Sequence, residues 1–149
     1  LGVAQPPPAP VAAVTDSEVA VAVVGAHLSG MPLNGELRAC GARLIAATCT
    51  AASYRLFALA GTTPPKPGLL RVGEGTGFAI EVEVWAMPKA AFGGFVAAVP
   101  PPLSIGTVSL NDGETVKGFL VESCAVADAR DISDFGGWRA YLAAASVPA

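Results

Sequence analysis

The chain has 149 residues, a formal net charge of −3 and only 14% charged residues, against 52% hydrophobic ones. The acidic balance and the scattered Lys and Arg argue against nucleic acid as a partner. Every apolar run is interrupted before it reaches the roughly 18 residues that a membrane span needs, which argues against a membrane partner. The composition therefore predicts one soluble domain of ordinary size with its own hydrophobic core.

The first 17 residues differ in composition from the rest. The opening stretch "LGVAQPPPAPVAAV" is rich in proline and carries no charge. Such a sequence is stiff and extended, as linkers between domains are. We expect residues 1–17 to be an interdomain linker, residues 18–149 to be a single globular domain, and a further domain to lie upstream in the natural polypeptide.

The elements follow in chain order. Strand patterns occupy residues 18–24, 42–50, 54–60 and 78–85, and a hairpin spans residues 100–123 around an Asn-Asp-Gly turn. Residues 29–35 and 61–77 are predicted loops, and the "GEGTG" in the second is a flexible turn without the features of a phosphate loop. Residues 87–99 predict a short helix with Pro88 in its first turn.

A second helix closes the chain. It is predicted to begin at Ser133 as its N-cap and to carry an apolar stripe of Phe135, Trp138, Tyr141 and Leu142. Strands, a short helix, a hairpin and a final helix predict an α+β fold. Its sheet is expected to be curved and mixed or antiparallel, or a small barrel, with flanking helices.

The number and spacing of the cysteines and the histidine limit which kinds of functional site the chain can form. Cys40, Cys49 and Cys124 form an odd set without metal or CxxC spacing, which indicates reduced thiols in a cytoplasmic protein. With a single histidine, no metal site is predicted and we expect no cofactor. That histidine, His27, stands where the first strand ends beside Gly25, among small residues that leave its ring unshielded. It is either a proton-transfer group or a structural core histidine.

Three other side chains are candidates for a site. Ser29 does not fit a nucleophile elbow, so it has a hydrogen-bonding role or caps the loop. Lys66, held between prolines in "TTPPKPG", is either an anion contact or a plain exposed lysine. Glu83 shares one strand face with Glu81 and Trp85, and the two carboxylates either line a pocket or lie on a solvated face.

Several segments together resemble one family. The stretches "VAVVGAHLSGMPLN", "ARLIAATCTAASYRLFALAGTTPPKPGLLRV", "IEVEVWAMP", "TVKGFL" and "DISDFGGWRAYL" are similar to the C-terminal domain of allophanate hydrolase. The resemblance implies a gamma-glutamyl cyclotransferase-like fold and an upstream amidase domain as partner. It also implies a role in urea degradation and nitrogen metabolism, in which this domain aids the decarboxylation of the small dianion N-carboxycarbamate.

The resemblance also implies which residues act. The histidine of "GAHLSGM", His27, is the general acid/base that the resemblance implies. We ourselves expect the substrate-binding residues to be Gly25, Ala26, Ser29, Asn34, Tyr54, Lys66 and Glu83. One alternative is a non-catalytic assembly module of the amidase, and a homodimer is left open. A cyclotransferase is less favoured, because the acid of the D-x-x-E-G motif has no counterpart after "EVWAMP".

Overall fold

The computed structural model describes residues 14–146, so the proposed linker lies mostly outside the described residues. Eight strands and three helices follow one another: β1 Glu18–Val23, α1 Asn34–Ala39, β2 Arg43–Cys49, β3 Tyr54–Ala58, β4 Pro67–Arg71, β5 Glu81–Pro88, α2 Lys89–Ala97, β6 Leu103–Ser109, β7 Thr115–Val121, β8 Arg130–Asp131 and α3 Trp138–Ser146. Short 3-10 turns lie at Ser123–Ala125 and Ser133–Phe135.

The strands form two sheets. The larger sheet has the order β2-β5-β1-β7-β6, and the smaller has the order β4-β3-β8. Strand β1 pairs antiparallel with β5 and parallel with β7, whereas the other strand pairs are antiparallel. The predicted α+β fold with a mixed sheet is confirmed, and the described strands form open sheets instead of a closed barrel.

Strand β1 occupies the centre of the larger sheet. Val21 and Val23 are fully buried, and Ala22 is 3% exposed. A strand covered on both faces needs a continuous apolar run, which is the Val/Ala pattern of this segment. Burial therefore holds the C-terminal end of β1 in place, and the loop that follows begins from this rigid strand.

The smaller sheet packs against the larger one through β4 and β7. A Cβ atom on Gly68 would come within 2.8 Å of the side chain of Val121, so only glycine permits this approach. The same packing brings Pro67 against Gly25, where a Cβ atom would overlap the proline ring. The two glycines thus let the segment before β4 lie beside the loop after β1.

The prediction that residues 61–77 form a loop is wrong for the middle of this segment. Residues Pro67–Arg71 form β4, which pairs along its length with β3. Three nearby prolines indicated a loop, but Pro67 is the first residue of an edge strand, where a missing N–H costs nothing. Helix α1 likewise begins at Asn34, inside the predicted loop 29–35.

The prediction that Ser133 caps the last helix is also wrong. Helix α3 begins at Trp138, after Gly136 in a left-handed conformation (φ 80°). The Ser133 hydroxyl instead donates to Asp131 Oδ1 (2.6 Å) and accepts the Leu56 N–H (2.8 Å), which ties the 3-10 turn to β3. The predicted helical stripe is confirmed for Trp138, Tyr141 and Leu142, which lie on α3 and are buried or pack against the core. Phe135 also packs against the core, but from the 3-10 turn before the helix.

Within residues 14–146, no helix has the length and apolar character to cross a membrane. The three cysteines are free thiols, with Cys124 exposed and the other two partly buried.

Candidate active site

A cavity of about 660 Å³ opens beside the C-terminal end of β1. Its walls come from five segments: the loop after β1, helix α1, residues 63–67, helix α2 with the segment that leads into β6, and β7 through Phe119. The centre of the larger sheet thus presents one loop to a pocket that two helices enclose. This volume is within the range of small-molecule sites.

His27 lines this cavity and packs against two aromatic rings. Its imidazole stacks on Phe119 of β7, with centroids 4.9 Å apart and planes inclined by 19°. Phe95 of α2 meets the ring edge at 5.6 Å and 72°. The His27 side chain keeps 12% of its surface exposed. The aromatic contacts therefore hold the imidazole plane, and a small part of the side chain stays accessible from the cavity.

Glu36 of α1 completes the histidine's surroundings. Its Oε1 lies 2.8 Å from His27 Nε2, and its side chain is 57% exposed. A carboxylate bonded to one ring nitrogen orients the imidazole and favours its protonated form. The sequence analysis did not single out Glu36, because nothing in the spacing of nine residues shows that a helix turns the chain back on the histidine.

The pKa of His27 lies below its ordinary value of 6.5. Burial against apolar side chains lowers the pKa most, and the carboxylate of Glu36 acts in the opposite direction. The positive charge of Lys66 lowers the pKa further, so this lysine is near enough to act on the ring electrostatically. The imidazole of the free domain is therefore neutral near pH 7.

Lys66 itself is held at its backbone on both sides. Its N–H donates to Thr62 Oγ1 (2.9 Å), and its carbonyl accepts the N–H of Leu59 (3.1 Å). Among residues 14–146 no carboxylate forms an ion pair with the Lys66 ammonium group. A half-buried cation that lines the cavity without an acidic partner is suited to hold an anion.

A hydrogen-bond network centred on Glu83 fixes the loop that carries His27, and we call this network a brace. Glu83 Oε1 accepts both the N–H (2.8 Å) and the hydroxyl (3.0 Å) of Ser29, and the indole N–H of Trp85 (3.1 Å). Arg139 of α3 donates to Glu83 Oε2 and to the Ser29 carbonyl, both at 2.9 Å. This network anchors the chain two residues after His27.

A second hydrogen-bond network, centred on Asn34, includes the backbone of His27 itself and forms the second brace. The side-chain amide of Asn34 donates to the His27 carbonyl oxygen (2.8 Å), and its oxygen accepts from Arg38 Nε (3.0 Å). Asn34 is only 5% exposed. The start of α1 therefore fixes both the backbone of His27, through Asn34, and its ring, through Glu36.

The structure places the predicted site residues in three locations. Gly25, Ala26, His27 and Lys66 line the cavity together. Ser29, Asn34 and Glu83 are not among its lining residues and form the two braces. Tyr54 lies elsewhere: it is fully buried in β3, where its hydroxyl accepts from Arg71 (2.8 Å) and from the Ser109 N–H (2.9 Å).

The described residues contain no group of three or more His, Cys, Asp or Glu that could hold a metal ion. The chemistry available at the cavity is that of an imidazole, a carboxylate, an ammonium group and backbone N–H groups. Such a set transfers protons and binds small anions.

These features define a class: an α+β domain with an open mixed sheet and one histidine in a cavity at the end of its central strand. The sequence profile described as the allophanate hydrolase C-terminal domain matches residues 19–143. The chain belongs to this family.

Relatives at higher similarity are much longer proteins. The urea amidolyase of Saccharomyces cerevisiae is 44% identical over 129 residues, which cover 85% of this chain and 7% of that protein. The structure of Kluyveromyces lactis allophanate hydrolase superposes with a TM-score of 0.84 at 43% identity, covering 87% of this chain and 22% of that one. The chain thus spans less than a quarter of the length of either relative.

The fold also exists as a chain of its own. The uropathogenic E. coli protein c4763 is 33% identical, with a TM-score of 0.77 over 85% of this chain and 96% of that one. An aig2-like protein of Mus musculus, at 18% identity and a TM-score of 0.53, shares the fold. The expected gamma-glutamyl cyclotransferase-like architecture is therefore confirmed at the level of fold.

Proposed function

We propose that this domain accelerates the loss of carbon dioxide from N-carboxycarbamate in the cytoplasm, with His27 as the proton donor. In this proposal an upstream amidase domain of the same polypeptide produces the dianion from allophanate. Membership of the family and the similarity to urea amidolyase and allophanate hydrolase support it. The observation that carries it is His27, which packs against two aromatic rings at the cavity wall and keeps 12% of its side-chain surface exposed.

The chemical step needs one proton. As the C–N bond of N-carboxycarbamate breaks, one carboxylate leaves as carbon dioxide and the bonding electron pair stays on nitrogen. A proton from the His27 imidazolium neutralises that nitrogen, and the products are carbamate and carbon dioxide. The imidazole then regains a proton from water. General acid catalysis of this kind contributes typically 10²- to 10⁴-fold.

Under this proposal, binding of the dianion raises the pKa of His27, so that the imidazole becomes protonated. The free imidazole is neutral near pH 7 because burial lowers its pKa. A dianion beside the ring raises the pKa again, since an opposite charge favours the imidazolium form. Glu36 acts in the same direction. The His27 ring is therefore protonated when the substrate is present and neutral when the cavity is empty.

The second carboxylate of the substrate requires a binding group. Lys66 supplies a cation that lines the cavity. The backbone N–H groups of Ala26 and His27 donate to no other group among residues 14–146, and both residues line the cavity. We assign these groups to the carboxylate that remains on nitrogen, because charge-assisted hydrogen bonds hold carboxylates well.

To test the proposal, the 149-residue chain is added to an enzyme that produces N-carboxycarbamate. An allophanate hydrolase variant that lacks its C-terminal domain is mixed with allophanate, with and without the 149-residue chain, and carbon dioxide release is followed by infrared absorption. We expect ammonia release to be unchanged and carbon dioxide release to become faster than the spontaneous rate. No acceleration at saturating concentrations of the chain would overturn the proposal.

The proposal also predicts a pH dependence. Because the protonated ring is the donor, kcat/KM falls as pH rises through the pKa of His27 in the free domain, which lies below 6.5. The Glu36→Gln variant removes a charge that favours the imidazolium, so the falling limb moves to lower pH. At pH 7 we expect kcat/KM to drop by about three- to tenfold.

The single histidine makes this prediction easy to check. His27 gives the one imidazole signal of the chain, so an NMR titration reads its pKa directly. The matched control is Glu114→Gln, which removes the same charge in the exposed turn between β6 and β7. A titration curve that stays in place or moves upward in Glu36→Gln contradicts the role assigned to Glu36.

A further inference from the structure

The cavity is polar on one side only. Its polar side chains come from the loop after β1, from α1 and from residues 63–67, and include His27, Glu36 and Lys66. The opposite wall is α2 with the segment leading into β6. The side chains that this wall contributes are all apolar, among them Ala91, Phe95, Ala98 and Leu103, with Gly94 between them. We call this surface the α2 wall.

The cavity is also larger than the small dianion requires. N-carboxycarbamate has seven non-hydrogen atoms, and even at the roughly 30 Å³ that a water molecule takes in the liquid they fill about 210 Å³. The cavity measures about 660 Å³. Phe95 of the α2 wall contacts the His27 ring, but a polar substrate held at His27 leaves the rest of this wall uncovered. An apolar surface of this kind binds hydrocarbon in preference to water.

We propose that the cavity binds monocarboxylates with an unbranched hydrocarbon chain. The carboxylate lies between His27 and Lys66, and the chain lies along the α2 wall. Lys66 selects the anionic head group, because it lines the cavity without an acidic partner among residues 14–146. Ligands of this class occupy the place of the small dianion and compete with it.

The signature of this site is a dependence of affinity on chain length. Each methylene buried against an apolar wall tightens binding by about fourfold. Isothermal titration calorimetry of the 149-residue chain with acetate, butyrate, hexanoate and octanoate measures the dependence. We expect affinity to rise along the series, and the alcohols and alkylammonium ions of equal length to bind more weakly than the carboxylates.

Two neighbouring glycines of α2 provide a matched pair of variants. A side chain added at Gly93 or at Gly94 meets open space, but only Gly94 lines the cavity. Gly94→Leu fills the space beside the α2 wall, so hexanoate should bind at least tenfold more weakly while acetate binding stays unchanged. Gly93→Leu should bind hexanoate as the parent chain does. Ala98→Leu, which alters the same wall, should reproduce the Gly94→Leu result.

The outcomes separate this site from the proposed decarboxylation. Affinity that is independent of chain length, or an equal loss in Gly93→Leu and Gly94→Leu, overturns the monocarboxylate site and leaves the decarboxylation assay unaffected. Chain-length dependence in a protein that does not accelerate carbon dioxide release supports the site and removes the proposed function. Competition between hexanoate and N-carboxycarbamate in the decarboxylation assay supports both.

Discussion

Replacing His27 by glutamine should slow domain-dependent carbon dioxide release from N-carboxycarbamate by about 10²- to 10⁴-fold. Among the kinds of side chain that line the cavity, an imidazole has the ordinary pKa closest to neutral pH. Glutamine retains a hydrogen-bonding side chain that can reach Glu36 but cannot deliver a proton. The residual rate should approach the spontaneous one. The assay follows carbon dioxide release after a pulse of intermediate, with ammonia release as the internal reference.

A second variant separates charge from proton transfer. Lys66→Gln should raise KM with a smaller effect on kcat, because it removes an anion contact and no proton donor. Lys117→Gln removes the same charge on β7, where the ammonium group bonds Thr107 (3.0 Å) and does not line the cavity. It should behave like the parent chain.

The assembly alternative predicts a different pattern. If the domain only holds the amidase together, His27→Gln leaves carbon dioxide release unchanged, and removal of the whole domain alters the oligomeric state. Size-exclusion chromatography with light scattering, run on both proteins, distinguishes the two. Under our proposal the His27→Gln variant has the parent's oligomeric state and the slow rate.

The sheet was largely predictable from the sequence because its strands have local signals. The Val/Ala run of β1 and the hairpin turn between β6 and β7 depend on neighbours a few residues away. Strand β4 was missed because its prolines match a loop equally well, and its strand character comes from pairing with β3. The parallel pairing of β1 with β7 joins segments about 95 residues apart, and no local pattern specifies it.

The site was predictable only in its local part. Gly25, Ala26 and His27 could be found because a lone histidine and a small-residue loop end a buried strand. Phe95 and Phe119 could not, because a phenylalanine that packs on the core looks the same in sequence as one that packs on an imidazole. Glu36 needed the short helix α1, which the sequence analysis did not assign.

For Glu83, the sequence predicted the strand face correctly but not the burial of the side chain. The alternation in β5 placed Glu81 and Glu83 on one face, which is consistent with their shared contact to Arg139. The alternation does not show that one carboxylate is buried and the other is not: Glu83 is 5% exposed, whereas the Glu81 side chain is 44% exposed. That difference arises from Ser29, 54 residues earlier, which folds over Glu83 alone.

The largest loss of stability is therefore expected for Glu83→Ala, at about 3–5 kcal/mol of the free energy of unfolding. The substitution leaves the Ser29 N–H, the Trp85 indole N–H and one Arg139 guanidinium nitrogen without the acceptor that Glu83 provides. Urea unfolding followed by tryptophan fluorescence measures the change. Because Ser29 lies two residues after His27, decarboxylation should fall in the fraction that remains folded.

The matched control is Glu81→Ala, on the same strand and the same face. Its carboxylate meets Arg139 at 3.5 Å and is largely exposed, so we expect a loss below about 1 kcal/mol. Equal losses in the two variants would mean that the brace does not stabilise the domain.

Acid provides an independent check of the same network. Burial raises the pKa of Glu83, but the hydrogen bonds from Ser29, Arg139 and Trp85 outweigh it and hold the pKa below its ordinary value of 4.5. A carboxylate with a depressed pKa stabilises the folded state fully above the ordinary value, and this stabilisation is lost as pH falls through the lower, folded one. The stability difference between the parent and Glu83→Ala should therefore be constant from pH 7 to about 5 and shrink below pH 4.5.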